Sequence, residues 1–523
     1  MKIALISPYA EISSIGVRTI SAYLKSNGIS TRLVFLPLQK SFYSREDFSF
    51  YSDSAINDLA DLVINDDLIG ISLMSNFYDT VKDLTIKLKR KLPDKPIIWG
   101  GIHPTVIPEK CIEVADYLCI GEGELPCLDL CRHLAEGKSA ENIPGIWSKA
   151  EGRIFRNNPL RVITDLNQIP PPDYDLEENY ILLSKKTLTP LTSRNMHKFL
   201  GVTYWTMYTR GCPFSCTYCC NDALRKIHRD FTKLRAKSPE YIVQEIIAIK
   251  NKFPFIKYVN FQDDTLFALS EEDIKEFCEY YKKFVGLPFL VPGAQPSVFT
   301  EKKFDYLVDS GMLRTRVGIQ CGSQRVLDEI YKRKQDNETV VQISHILQKY
   351  PKKLTMPNYD IIVDNPWETQ KDRLQTIDLL SKLAPPFSLN IFSLMFFPGT
   401  SLYSKAIQEN IINENTKVTH YLNYKPTYLN LIIALFGIFK VPEWLLKILL
   451  SKRLVNTKRN FVALHHILYN LILYRRGICS IVTRDFSMFP PSLQFLFCKF
   501  LPPRILDKEK IISELPHGRA ERH

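Results

Sequence analysis

The sequence predicts an α/β protein made of two successive strand–helix units followed by a helical tail. Apolar strands alternate with amphipathic stretches over the first 140 residues, the alternation lapses and resumes for six strands after about residue 200, and it ends near residue 420. The chain has 523 residues, 45% of them apolar and 24% charged, with 21 Gly and 32 Pro. Those values are ordinary for globular protein and exclude a collagen-like or disordered chain.

In the first unit, residues 1–140, strands are expected at 2–7, 31–37, 68–74, 96–101 and 116–121, with helices at 16–26 and 81–91. Five short strands separated by helices make a doubly wound, Rossmann-like parallel sheet, which binds ligands at the C-terminal ends of its strands. Gly100 and Gly101 follow the fourth strand and Gly121 and Glu122 the fifth; glycines there let backbone amides approach a ligand closely. His103, between that glycine pair and Pro104–Thr105, is placed to touch the same ligand. The chain opens directly on a strand without a signal-peptide pattern, and twelve cysteines in this length are no disulfide scaffold, so a reducing, cytoplasmic setting is expected.

Residues 141–200 lose the pattern, and Pro170-Pro171-Pro172 reads as a stiff linker. A strand at 202–209 then runs into Arg210-Gly211-Cys212-Pro213-Phe214-Ser215-Cys216-Thr217-Tyr218-Cys219-Cys220, a C-x3-C-x2-C spacing on one short loop. Three thiolates held so close repel one another unless a metal takes up their charge. Structural zinc takes four protein ligands, and His228 is the only nearby fourth candidate. A 4Fe–4S cube with three cysteine ligands leaves one iron open, and the spacing favours it, with Cys220 outside the set.

This motif, with the aromatic Tyr218 before the third cysteine, resembles that of the radical S-adenosylmethionine (radical SAM) superfamily. The resemblance implies that Cys212, Cys216 and Cys219 hold a 4Fe–4S cluster whose open iron binds SAM, and that one electron cleaves SAM to a 5′-deoxyadenosyl radical. Further strands at 258–262, 290–292, 316–319, 359–363 and 390–396, with helices such as 240–252 between them, then resemble the superfamily's partial (β/α)6 barrel over residues 201–420. Asp263 and Asp264 resemble the position near the SAM amino group, and Gln320 and Ser323 the segment at its ribose and carboxylate; Cys321 falls outside the site. Asp364 stands where relatives often carry Gly.

The pairing of the two units resembles the cobalamin-binding radical SAM group over roughly residues 1–420, with IGVRTISAYLKSNG, GGIHPT and GEGE in the first unit as its matching segments. Gly100, Gly101, His103, Gly121 and Glu122 are then the cobalamin-side candidates. The first loop reads Ser7-Pro8-Tyr9-Ala10-Glu11, without the Asp-x-His-x-x-Gly signature, so no His from that loop is expected beneath cobalt. The chemistry implied is methylation of an unactivated carbon. The alternatives are oxidative ring closure, as in anaerobic Mg-protoporphyrin ester cyclases, or a non-catalytic cobalamin or metal sensor.

The net charge of +12 is concentrated in residues 421–523, where 16 Lys and Arg meet 6 Asp and Glu, leaving +2 for the rest. That segment is basic, rich in Leu, Ile and Phe, and expected to be helical at 429–440, 443–453, 460–475 and 493–501. Its longest charge-free apolar run, 431–439, is far short of the roughly 20 residues that cross a bilayer. Lys440, Lys447, Lys452, Arg453, Lys458 and Arg459 interrupt the apolar faces as in an interfacial helix, a reading compatible with a helical cap on the open side of the barrel. The expected partners are a small-molecule or lipid-like substrate and an electron donor such as flavodoxin or ferredoxin. Peripheral membrane contact through residues 421–523 is expected and nucleic acid is not.

Overall fold

The computed structural model describes residues 1–37, 51–159, 162–183, 187–413, 416, 424–457 and 459–503. Lys458 and the stretch 504–523 of the basic tail lie outside the described residues.

The first sheet has nine strands: β1 (Lys2–Ser7), β2 (Ser30–Phe35), β3 (Leu68–Ser72), β4 (Ile97–Gly100), β5 (Tyr117–Cys119), β6 (Ile146–Ala150), β7 (Arg153–Arg156), β8 (Tyr180–Leu183) and β9 (Thr187–Pro190), in the order β7-β6-β5-β4-β3-β1-β2-β8-β9. The pairings from β5 across to β8 are parallel. Helices Ile15–Ser26, Asp53–Val63, Tyr78–Lys91 and Glu124–Ala135 lie between its parallel strands and share two apolar cores with it. Such strands are apolar on both sides, and β1 is buried from Ile3 to Ser7. Strand order reverses between β1 and β3, which opens the crevice where doubly wound sheets take ligands.

Residues 141–200, expected as a linker, instead supply β6 to β9. The antiparallel pairs β6–β7 and β8–β9 close both borders of this sheet. Four- and five-residue edge strands that are partly polar leave no long apolar run, which is why the sequence pattern hides them.

The second sheet is the six-stranded parallel one: β10 (Thr203–Thr206), β13 (Tyr258–Phe261), β14 (Phe289–Ala294), β15 (Met312–Gln320), β16 (Asn358–Val363) and β17 (Ser388–Ser393), paired in chain order. Between β10 and β13 a two-stranded ribbon, β11 (Thr209–Arg210) with β12 (Arg235–Ala236), stands apart. The connecting helices start on strong signals. Ser238 caps Pro239–Lys252, and capping boxes open Glu271–Phe284 (Ser270 with Asp273) and Gln370–Lys382 (Thr369 with Asp372).

β10 and β17 do not pair, so the barrel is partial. The free edge of β17 is covered by side chains of the helix Val462–Thr483. Arg475 donates to Phe387 O at 2.7 Å, and Arg476 donates to Leu389 O and, at 2.7 Å, to Ser388 Oγ. Helix Tyr428–Phe436 is buried against Gln370–Lys382 and β17. Below β10, Gln494 of Pro491–Phe500 accepts from Val202 N at 2.9 Å. The tail is thus a cap on the barrel's open side and floor. Among the described residues no helix is long and apolar enough to cross a membrane.

Candidate cofactor cleft

The cysteine loop starts from a fixed point. Asp263, at the end of β13 and only 6% exposed, accepts from Thr209 N, from Thr209 Oγ1 at 2.6 Å and from Tyr208 N at 3.3 Å. Its carboxyl is thereby committed to the β10–β11 turn; burial still pushes it up to about 6, against the pull of these donors. Gly211 takes φ +90°, and a Cβ there would stand 2.2 Å from Lys233 O, so only glycine fits between β11 and β12. Arg225 holds the carbonyls of Cys212 (3.3 Å) and Phe214 (3.0 Å).

Cys212 and Cys216 are buried and Cys219 is half-buried. Burial pushes the Cys212 thiol up to about 12, and the charges of Asp264, Cys219 and Cys216 push the same way. A Cys212 thiolate therefore needs a cation beside it, whereas a hydrogen bond from Cys220 pulls the Cys219 thiol down. Among the described residues no three His, Cys, Asp or Glu side chains are grouped as ligands of a single ion. A four-iron cube binds each cysteine to a different iron, a demand that the three thiols of the C-x3-C-x2-C loop meet without a fourth protein ligand.

The surrounding strand ends are polar. Arg333, 6% exposed, donates to Gly318 O at 2.6 Å, to Gln295 Oε1 and Tyr218 Oη at 3.3 Å, and reaches Cys216 Sγ at 3.7 Å. Tyr218 packs edge-on against Tyr331, ring centroids 5.1 Å apart. Asp264 is exposed, bonds Asn221 and lies within electrostatic reach of Cys212 and Cys219. Gln320 sits at φ +68° with its amide folded back over Gly318 beside Arg333, at the mouth. Ser323 is fully buried and donates to Asp372 at 2.6 Å, which turns it into the helix layer and away from the strand ends. Cys321 packs in a small apolar cluster behind them. Asp364, at φ +62°, accepts from Ser393 Oγ, Lys425 N and Asn430 Nδ2 at 2.8–2.9 Å and ties the strand ends to the tail.

Of these, Arg333 and Gln295 escape sequence reading. Arg333 stands in the run Lys332-Arg333-Lys334, which looks like solvated charge, and Gln295 follows β14 without a motif.

The first sheet presents its strand ends to the same space. Tyr9 bridges the β1–β3 crevice, its hydroxyl 3.0 Å from Ser72 Oγ and its ring edge-on to Phe77. Gly101, at φ +97°, lets the backbone pass Leu73 O, which a Cβ would approach to 2.9 Å; Gly100, at the end of β4, is less crowded. His103 is buried, engaged by Ser75 Oγ at 3.0 Å and by the Tyr78 ring, and burial lowers it to about 4, so it is neutral. Tyr9, Ser72, Gly100, Gly101 and the neutral His103 are uncharged, which suits the face of a corrin ring, and no imidazole comes from the first loop.

The two units meet along a salt-bridged seam at the end of β5. A Cβ on Gly121 would fall 2.1 Å from Phe231 Cζ, so this glycine accommodates a barrel ring. Glu122 accepts both guanidinium nitrogens of Arg235, one at 3.0 Å, and Glu124 pairs with Arg210 at 2.6 Å. Glu122 is therefore occupied as a strut between the units. The C-terminal ends of both sheets thus face one another, with the cysteine loop at the seam.

Below the mouth lies a cavity of about 290 Å³ in the barrel lumen, lined by Trp205, Asn260, Arg314, Arg316, Asn358 and Met488 among others. Asn260 Oδ1, Asn358 Oδ1 and Arg316 Nε are buried there without a hydrogen-bond partner, Arg316 Nε standing 4.0 Å from Asp360.

Comparison with known families agrees with this architecture. Residues 1–130 match the B12 binding domain and residues 206–380 the Radical SAM superfamily. The chain is a radical SAM enzyme with an N-terminal B12 binding domain. It is 25% identical over 371 residues to an uncharacterized methyltransferase of Pyrococcus horikoshii, covering 69% of this chain and 74% of that one. It is 24% identical over 406 residues to the cytidylyl-2-hydroxyethylphosphonate methyltransferase of Streptomyces wedmorensis, covering 72% of each. In fold it resembles TsrM, a radical SAM methyltransferase of Kitasatospora setae solved with cobalamin and a [4Fe-4S] cluster (TM-score 0.61, 16% identity, 78% of this chain and 75% of that one). It also resembles OxsB, a cobalamin-dependent SAM radical enzyme solved with aqua-cobalamin and SAM (TM-score 0.62, 16% identity, 98% and 78%).

Proposed function

We propose that the chain is a cobalamin-dependent radical SAM methyltransferase acting on an unactivated carbon of a small-molecule or lipid-like substrate. The observation that carries this is the facing of the two sheets: the β1–β3 crevice and the cysteine loop share one space across the Arg235–Glu122 and Arg210–Glu124 seam. Cys212, Cys216 and Cys219 would hold a 4Fe–4S cluster. Tyr218, Asp264 and Gln320 flank the place for SAM, and Gly100, Gly101 and His103 border the place for cobalamin. When bound, the cluster and SAM supply a hydrogen-abstracting radical and cobalamin a transferable methyl group.

The chain's own contribution is placement. Asp263 and Arg225 fix the loop, Arg333 sets a positive charge beside Cys216, and Asp264 offers a carboxylate to an ammonium group. Ser323, Gly121 and Glu122 support that geometry from behind, on the contacts described above. The reading includes an electron donor such as flavodoxin or ferredoxin, a cytoplasmic setting and peripheral membrane contact through residues 421–523.

A second outcome has its own support. The anaerobic magnesium-protoporphyrin IX monomethyl ester cyclase of Synechocystis is 24% identical over 218 residues, 40% of this chain and 39% of that one, so oxidative cyclisation stands as the alternative. Anaerobic reconstitution is expected to give about four iron per chain and 5′-deoxyadenosine from SAM, with Cys212→Ala losing both. Cobalamin binding without SAM cleavage would instead make the chain a sensor. A substrate gaining the mass of one methylene selects methylation over cyclisation.

A further inference from the structure

The C-terminal helices are apolar on two faces. In Val462–Thr483 one face, with Leu468 and Ile472, packs inward, while Leu464, Ile467, Leu471, Tyr474, Ile478 and Ile481 recur at steps of three and four along an exposed stripe. Glu443–Leu449 adds Trp444, 65% exposed, and Ile448; Pro491–Phe500 adds Phe495 and Phe500, the latter 70% exposed. Among the described residues five large apolar side chains are exposed before residue 420 and eighteen after residue 438. Scattered apolar exposure is normal for a protein surface, but this concentration marks a surface that something covers.

Charge decides what covers it. From Glu443 to Asp485 the sequence contains no acidic residue between those two. Arg475 and Arg476 are turned inward onto β17, whereas Lys452, Arg453, Arg459 and Lys499 are exposed among the apolar side chains. A second copy docking face to face would bring like charge against like charge. An anionic lipid surface neutralises the same residues while the apolar side chains leave water.

We infer that this face docks on an anionic phospholipid leaflet, its Leu, Ile, Phe and Trp side chains entering to the acyl boundary and its Lys and Arg resting among the phosphates. The helix lies in the interface plane without crossing it. This deepens the peripheral contact proposed above and rests on the tail alone, independent of the radical chemistry.

Flotation of the full, anaerobically reconstituted chain with vesicles of phosphatidylcholine, with and without phosphatidylglycerol, tests it. The chain is expected to float with the anionic vesicles at low salt and to be released by high salt. The triple variant Ile467→Ser, Tyr474→Ser, Ile478→Ser is expected to lose binding by at least about tenfold while melting as the unaltered chain does and still cleaving SAM. Failure of the unaltered chain to float at low salt overturns the inference, as does a dimer in solution that the triple variant converts to monomer. Loss of SAM cleavage in the unaltered chain would instead strike the catalytic reading and leave this one standing.

Discussion

Glu368 shows how a single buried carboxyl colours the strand ends. It follows β16, is 9% exposed, and burial pushes it up to about 8 against the pull of Arg373. An unfolded glutamate titrates near 4.5. Below that value both states hold the proton; from there up to about pH 8 only the folded state does, so its contribution to stability is lost as pH rises through that window. Glu368→Gln, which keeps the shape without the charge, is expected to raise Tm by roughly 2–4 °C at about pH 8 and to leave it nearly unchanged at about pH 4. Thermal unfolding of both proteins at the two pH values checks this. Cys220 is a contrast at the same scale, since it lies outside the C-x3-C-x2-C set. Cys220→Ser is expected to retain its iron after reconstitution where Cys219→Ala does not, as iron analysis would show.

Among the elements, the helix Val462–Thr483 runs past its expected end. It is expected to end at Arg475, yet it continues through Arg476 and Gly477 to Thr483. Those arginines serve another strand's carbonyls, a tertiary demand that local pattern does not carry. β15 is misread in the mirror sense. Arg314 and Thr315 interrupt its apolar run, and of Met312–Gln320 only 316–319 was expected, because polar side chains on the lumen face look like loop. Where both faces of a strand are apolar, as in β1, expected and observed bounds coincide. Arg476→Ala removes the donors to Leu389 O and Ser388 Oγ at a buried site and is expected to cost about 2–3 kcal/mol. Thermal unfolding, with limited proteolysis of the tail, is the measurement.

For the whole molecule, the cysteine loop, strands β1 to β5 and the six-stranded sheet were readable because each rests on local spacing. The seam between the units was not, because its Arg210–Glu124 and Arg235–Glu122 pairs join residues 86 and 113 positions apart. Glu122 and Gly121 were read as ligand contacts from their place after β5, and the structure gives them partners in Arg235 and Phe231. Gly121→Ala adds a methyl group in the path of that ring at φ +86°, and is expected to cost roughly 2–4 kcal/mol. Phe231→Ala removes the obstacle, so the two substitutions together are expected to cost less than the sum of each alone, a coupling that a double-mutant unfolding cycle measures.

The polar lining of the lumen also constrains what can occupy it. Asn260, Gln262, Arg314, Arg316, Asn358 and Asn390 line it, and polar groups at its surface keep their solvation only beside a guest, or ordered solvent, that returns a hydrogen bond. A hydrocarbon tail threaded to that depth would dehydrate this lining with nothing in exchange. The inside of the barrel therefore selects for polar matter while the outer flank of the tail welcomes grease, and an amphiphile can satisfy both only head first.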